Sequence, residues 1–131
     1  MEKVFDKAFI DTLLAQAAEN PRKRQNHDLR NSSADTSQRM MNALLPETQV
    51  PIHRHEDTAE TVICLSGRLV EILYEEIPGA DGKPGYREVS RTLLSPAEGS
   101  HGMQVPAGAW HSIEVLEPSI IFEAKDGAYK G

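Results

Sequence analysis

The chain has 131 residues, of which 39% are apolar and 26% are charged, with 14 Lys and Arg against 20 Asp and Glu. This composition fits one folded domain over residues 1–131 and argues against wholesale disorder. The net charge of −6 argues against a protein that covers a nucleic-acid duplex. No apolar run is long enough for a membrane span or a secretory signal, and the single cysteine cannot form an intrachain disulfide. We therefore expect a cytoplasmic protein without nucleic-acid or membrane partners.

Residues 1–20 are predicted to form one amphipathic helix, because apolar residues recur at helical spacing from Val4 to Ala17. Asp6 suits the N-cap position. Pro21 predicts the end of the helix, since proline disfavours helical geometry in the residue before it. We expect the apolar face of this helix to pack on a sheet or on a dimer partner.

Residues 21–37 form a basic lead-in with almost no apolar content. One interpretation is a solvated loop or extended segment. The other is that Arg24, Asn26 and His27 reach into a site and bind an anionic group, since loops often carry function.

Residues 38–131 predict a β-barrel, because short β-branched runs alternate with clusters of turn-forming residues. About eight short strands after a single helix indicate a mainly β chain, folded as a small closed barrel or jelly roll. Residues 49–55 are among the predicted strands.

Three histidines and a glutamate are the most informative residues of the predicted barrel. Side chains alternate along a strand, so His53 and His55 would face the same side. Glu60 would begin the neighbouring strand, and His111 follows a tight turn that could direct it inward. Buried imidazoles and a carboxylate are costly without a partner, and together they suit one divalent transition metal.

Four protein ligands would saturate a tetrahedral zinc ion, whereas six-coordinate Fe, Mn, Ni or Co would keep two positions open for a ligand. Arg39 and Asn42 are further candidates to bind a small-molecule ligand. They have opposite parity along one predicted strand, so an unbroken strand cannot direct both inward. Either residue could face the cavity.

Two patterns resemble the two motifs of the cupin superfamily. The first is His53-x-His55-x4-Glu60-x6-Gly67, and the second is Pro106-x-Gly108-x-x-His111. The resemblance implies the cupin fold, a double-stranded β-helix of jelly-roll type, with one N-terminal α-helix added in this chain.

A closer resemblance, over nearly the whole chain, is to the WbuC-type cupin-fold metalloproteins. It is carried by the stretches RKRQNHDLR, QRMMNALLPETQVPIHRH, PAGAWHSIEVLEP and FEAKDGAYKG. This resemblance implies a homodimer and a role linked to surface-polysaccharide biosynthesis.

Two functional hypotheses follow for the predicted metal site. The first is a metal-dependent enzyme, with isomerase or dioxygenase-like chemistry, that acts on a sugar or sugar nucleotide. The alternative is a non-catalytic module that binds a carbohydrate or an acid through the metal. A purely structural metal ranks below both, because a fold with many strand pairs should not depend on one ion.

Overall fold

Antiparallel strands make up most of the molecule in a computed structural model that describes residues 2–127. The helix α1 spans Lys7–Glu19, and short 3-10 turns lie at Ala80–Gly82 and Pro96–Glu98. The strands are β1 (Arg24–Asp28), β2 (Ser37–Leu44), β3 (Glu60–Pro78), β4 (Pro84–Leu94), β5 (Gly102–Val105) and β6 (Trp110–Asp126). The prediction of a mainly β chain with one N-terminal helix is confirmed. Residue 1 of the predicted helix segment and residues 128–131 of the predicted barrel, with the end of the FEAKDGAYKG stretch, lie outside the described residues.

Helix α1 starts directly after the predicted N-cap Asp6 and ends before Pro21, so residues 2–6 of the predicted helix segment are not helical. The carboxylate of Asp6 accepts a hydrogen bond from the Phe9 amide at 3.0 Å, and Asn20 is already extended before Pro21. Leu13 and Ala17 are buried in an apolar layer between the helix and the outer face of the sheet. The apolar face therefore packs on the chain's own sheet. Within residues 2–127, no helix has the length and apolar character that a membrane span needs.

Part of the predicted basic lead-in is a strand. Strand β1 pairs antiparallel with β2, with Asn26 opposite Asn42 and His27 opposite Met41. The sheet thus begins before residue 38, where the predicted barrel starts. The apolar pattern did not indicate β1 because it is an edge strand rich in polar and charged residues.

The strands form one curled sheet in the order β1-β2-β6-β3-β4, with β5 also paired to β3. Strand β6 lies between β2 and β3; it pairs with β3 over most of its length and with β2 only from Ser119 to Asp126. The even-numbered residues of β2 face the interior, and the odd-numbered Met41 and Ala43 face the helix. Seven apolar residues fill one part of the interior: Leu44, Val62, Cys64, Leu69, Leu94, Val115 and Ile121.

The register of β3 against β6 is irregular between Cys64 and Leu69. Gly67 lies in this segment with φ of +95°, and a Cβ atom there would lie 2.4 Å from the Pro118 carbonyl oxygen. Glycine is therefore required both by the backbone conformation and by the close approach of β6.

We expect Gly67→Ala to lower the free energy of unfolding by about 2 to 5 kcal/mol, because the left-handed conformation and the overlap both penalise a side chain. Urea denaturation measures the change. The matched control is Gly82→Ala, where φ is +71° and no atom lies within 4 Å of the added Cβ. That variant should lose only about 1 kcal/mol. Equal losses at the two positions would contradict the packing argument.

Candidate metal centre

A two-residue backbone bridge joins the two halves of the histidine cluster. The His53 amide donates to the His111 carbonyl at 3.0 Å, and the His111 amide donates to the His53 carbonyl at 2.8 Å. Residues 49–55 do not form the predicted strand, since only His53 makes a ladder bridge and Pro51 has no N–H to donate. The Gly108 amide also donates to the His55 carbonyl at 2.8 Å, which fixes the turn before His111 to the first motif.

The three imidazoles converge on one point. Their ring centroids are 4.2 Å apart for His53 and His111, 5.2 Å for His53 and His55, and 5.5 Å for His55 and His111. One ring nitrogen of each residue lies within 4.8 Å of the other two. The spacing places three neutral nitrogen ligands around a common centre, so the cluster could hold a metal ion.

Backbone carbonyls fix two of these rings in the form that binds metal. The Nδ1 atom of His53 lies 2.9 Å from the Pro51 carbonyl, and that of His111 lies 2.9 Å from the Ala109 carbonyl. Donation from Nδ1 leaves the lone pair of Nε2 facing the cluster. Within residues 2–127, the buried Nε2 of His111 has no hydrogen-bond partner, and the buried Nε2 of His55 has only the Glu60 carboxylate beside it. Buried nitrogens of this kind fit a bound cation.

The carboxylate of Glu60 lies beside two of the imidazoles. Its oxygens are 3.2 Å from His55 Nε2 and 3.8 Å from His111 Nε2. It does not belong to the set of atoms that all lie within 4.8 Å of one another, which contains the histidines alone among the described residues. Burial opposes ionisation of Glu60, but the contact with His55 and the nearby His111 hold the pKa of the carboxyl below its usual range.

The ionisation of His111 also suits a metal ligand. Burial lowers the pKa of His111, and proximity to His53 acts in the same direction, although the Ala109 carbonyl and Glu60 oppose it. The imidazole is therefore neutral at neutral pH, as coordination requires.

The cluster opens into a cavity of about 480 Å³ inside the curled sheet. This volume lies within the range of small-molecule sites. Apolar side chains line part of its wall: Met40, Leu44, Val50, Pro51, Val62, Ile113 and Ile121. Polar and charged side chains line the rest: Arg22, Arg24, Asn26, Gln38, Asn42, His53, His55, Glu60, Glu71, His111, Ser112 and Glu123.

Three of the five predicted ligand-binding residues line this cavity, namely Arg24, Asn26 and Asn42. The other two do not. His27 has the opposite parity on β1, and its ring packs edge-on against Phe9 of the helix at 5.0 Å. Arg39 has the opposite parity on β2, and its guanidinium lies 3.5 Å from Asp35. Between Arg39 and Asn42, which the sequence left open, the structure turns Asn42 inward.

Two glutamates in the cavity wall were missed by the sequence reasoning. Glu71 lies in the middle of β3, and Glu123 lies on β6 and accepts a hydrogen bond from Asn42. The sequence did contain an indication that Glu71 is buried, since it is the single carboxylate inside the apolar run Leu69 to Leu73. Strand parity counted from Glu60 would have turned Glu71 outward, because the irregular segment changes the parity of β3.

The cavity keeps both of these carboxyls protonated near neutral pH. Burial, reinforced by the charge of Glu60, raises the pKa of Glu71 to about 9. Burial and the charge of Glu60 raise the pKa of Glu123 to about 8, against the opposing hydrogen bond from Asn42. Neutral carboxyls can donate a hydrogen bond as well as accept one.

Comparison with solved structures confirms the cupin fold. The cupin domain of Cnp3 from Schizosaccharomyces pombe matches with a TM-score of 0.53 and 9% identity, over 80% of this chain and 65% of that one. KdgF from Halomonas sp. matches with a TM-score of 0.57 and 16% identity, over 82% and 81% of the two chains. TT1209 from Thermus thermophilus matches with a TM-score of 0.58 and 23% identity, over 82% and 87%. At these identities the likeness establishes the fold alone.

The fold and the histidine cluster together define a cupin-fold protein with a candidate metal centre. The chain belongs to the family described as a domain of unknown function (DUF6016), whose profile matches residues 5–81. The matched range includes His53, His55 and Glu60 and ends before His111. A search of the curated proteins found no match to the sequence.

The raised pKa of Glu71 predicts how stability depends on pH. The folded, metal-free chain holds this proton up to about pH 9, whereas the unfolded chain releases it near the ordinary value of 4.5. The folded state therefore binds more protons between these values, and stability falls as pH rises. From pH 6 to pH 8, we expect the wild-type chain to lose about 1 to 2 kcal/mol more than Glu71→Gln, which cannot titrate.

Urea unfolding of the metal-free proteins at the two pH values measures this difference. The matched control is Glu76→Gln, since Glu76 lies on the same strand with an exposed side chain. The control should keep the pH dependence of the wild-type chain. Identical pH dependence in Glu71→Gln and the wild-type chain would contradict the assignment of a buried, protonated Glu71.

Proposed function

We propose that this chain is a metal-dependent enzyme that acts on a small sugar-like molecule bearing an anionic group. The convergence of the three imidazoles at a ligand-sized cavity carries the proposal. His53, His55, Glu60 and His111 would hold one divalent ion, with a small shift of Glu60 toward His53 completing the set. Iron, manganese, nickel, cobalt and zinc all accept imidazole and carboxylate ligands.

A divalent ion at this position supplies Lewis-acid or dioxygen chemistry, as an isomerase or a dioxygenase would require. The protein's own contribution is to hold the imidazoles in the correct tautomer through the carbonyls of Pro51 and Ala109. The apolar wall of the cavity limits water around the bound molecule, which strengthens polar contacts there.

Two arginines support the proposal that the substrate bears an anionic group. Arg22 and Arg24 both line the cavity that the histidines open into. The hydroxyl of Thr48 donates to the Arg22 carbonyl at 2.7 Å, and the Arg24 guanidinium donates to the Gln49 carbonyl at 2.9 Å. These bonds anchor the segment at the cavity wall. Guanidinium groups favour phosphate and carboxylate because their donors form a planar fork.

The chemistry of the lining favours a sugar phosphate or sugar acid over a larger sugar nucleotide. Within the described residues, no Phe, Tyr or Trp side chain lines the cavity to stack on a base. The resemblance to the WbuC-type proteins supports a substrate from surface-polysaccharide metabolism. The homodimer and the cytoplasmic location stay predictions.

Removal of one imidazole should abolish metal binding. We expect His111→Ala to lose the ion, because His111 is the most deeply buried of the three histidines and the bridge with His53 positions it. The matched control is His101→Ala, since His101 is exposed and lies outside the cluster. Metal analysis after dialysis should find about one ion per chain in the wild type and in the control, and none in His111→Ala. Equal metal content in all three proteins would contradict the proposed centre.

Turnover of a charged sugar should require the ion. Incubation of Fe(II)-, Mn(II)- and Ni(II)-loaded protein with hexose phosphates and uronic acids, with and without dioxygen, should convert at least one of them. NMR spectroscopy of the mixture detects any product. Full recovery of a tightly bound but unmodified sugar would instead favour the non-catalytic binding module. If the loaded protein neither bound nor converted any of these sugars, whichever ion it held, both forms of the proposal would be overturned.

A further inference from the structure

The inner wall of the cavity contains buried acceptor oxygens that no described residue satisfies. We propose that Glu71, Asn42 and Gln38 form a subsite beside the histidines that binds the hydroxyl groups of a sugar ring. The inference rests on the proposed function, because the same cavity must also hold the ion and the anionic group.

Three buried oxygens in this wall have no donor within residues 2–127. They are Oε2 of Glu71, Oδ1 of Asn42 and Oε1 of Gln38, in residues that are 2%, 8% and 4% exposed. All three residues line the cavity. A buried acceptor without a partner is costly, so such groups in native proteins are normally satisfied by protein, water or ligand. A ligand in this cavity that presents several donors would satisfy them together.

The carboxylates in this wall do not form a second cluster like that of the histidines. Among the described residues, only His53, His55 and His111 have ligand atoms that all lie within 4.8 Å of one another. Glu60, Glu71 and Glu123 therefore do not close on a common point as an ion requires. An extended molecule with donors at several positions fits the spread of the acceptors better.

The charge of the cavity favours hydroxyl groups over an ammonium group. An ammonium would share the cavity with a divalent ion and with Arg22 and Arg24, which repel it. A hydroxyl group is neutral and both donates and accepts. The Glu71 carboxyl is 2% exposed and its Oε2 has no donor within the described residues, so a hydroxyl group can satisfy it without adding charge to the cavity.

The affinity of a sugar phosphate divided by that of inorganic phosphate measures the contribution of the subsite separately from that of the anion site. Calorimetry on the Ni(II)-loaded full chain would compare inorganic phosphate with the 6-phosphates of glucose, mannose and galactose. Phosphate alone reports the ion and the arginines, and the additional affinity of a sugar phosphate reports the hydroxyl contacts. We expect at least one sugar phosphate to bind about tenfold more tightly than inorganic phosphate.

Substitution of Glu71 should reduce this ratio without loss of metal or phosphate. We expect Glu71→Met, an apolar side chain of similar size, to bring the ratio about fivefold closer to one. Glu71→Gln should keep most of the ratio, because its amide also donates and accepts. Glu76→Met, on the exposed part of the same strand, should behave as the wild type.

Two wild-type measurements test the subsite even if Glu71→Met fails to fold. Removal of one ring hydroxyl from the best ligand, as in its 2-deoxy or 3-deoxy form, should weaken binding about fivefold for at least one position. Glucosamine 6-phosphate should bind no more tightly than glucose 6-phosphate, and tighter binding would overturn the preference for hydroxyl groups.

The outcomes separate this inference from the proposed function. A ratio near one in a wild-type chain that retains metal and phosphate would overturn the subsite alone, and ordered water would then satisfy the acceptors. The subsite would also be overturned if Glu71→Met folded and kept the wild-type ratio. Absence of metal and of phosphate binding in the wild-type chain would overturn the proposed function, and the subsite with it.

Discussion

The antiparallel bridge between His53 and His111 is the contact on which the candidate centre depends. It joins an irregular segment before β3 to the beginning of β6, two regions that are distant in the sequence. Two backbone hydrogen bonds set the separation of the Cα atoms, and carbonyl acceptors then set the rotation of each ring. The positions of these two imidazoles are thus set by the backbone before any ion binds, so these two rings need little reorganisation on binding.

Three kinds of functional group line one cavity. Nitrogen ligands converge at the histidines, guanidinium groups lie on the β1 side, and buried carboxyls line β3 and β6. The apolar interior adjoins this polar wall, since Leu44, Val62 and Ile121 belong to both the apolar cluster and the cavity lining. Burial of glutamates without a cationic partner reduces stability, as the raised pKa values of Glu71 and Glu123 show. A cost of this kind in a ligand-sized cavity is more typical of a functional site than of packing.

The sequence predicted those features that depend on local patterns. The helix was readable from its apolar spacing, Asp6 and Pro21, and the histidine cluster from residue types that are expensive to bury together. Strand β1 was missed because an edge strand needs no apolar alternation. Glu71 was missed because parity holds only along a regular strand, and β3 changes register between Cys64 and Leu69. The inward turn of Asn42 depended on tertiary pairing, which parity alone left open.

The register change in β3 has a consequence for how the family can vary in length. Glu60 and Glu71 have numbers of opposite parity and still face the same interior, because the irregular segment between them inserts the needed offset. Deletion of a single residue there would turn each later side chain of β3 to the opposite face of the sheet. Val70 would then face the interior in place of Leu69. Length should therefore be tightly constrained around Gly67, whereas the exposed tip at residues 79–83 can gain or lose residues freely.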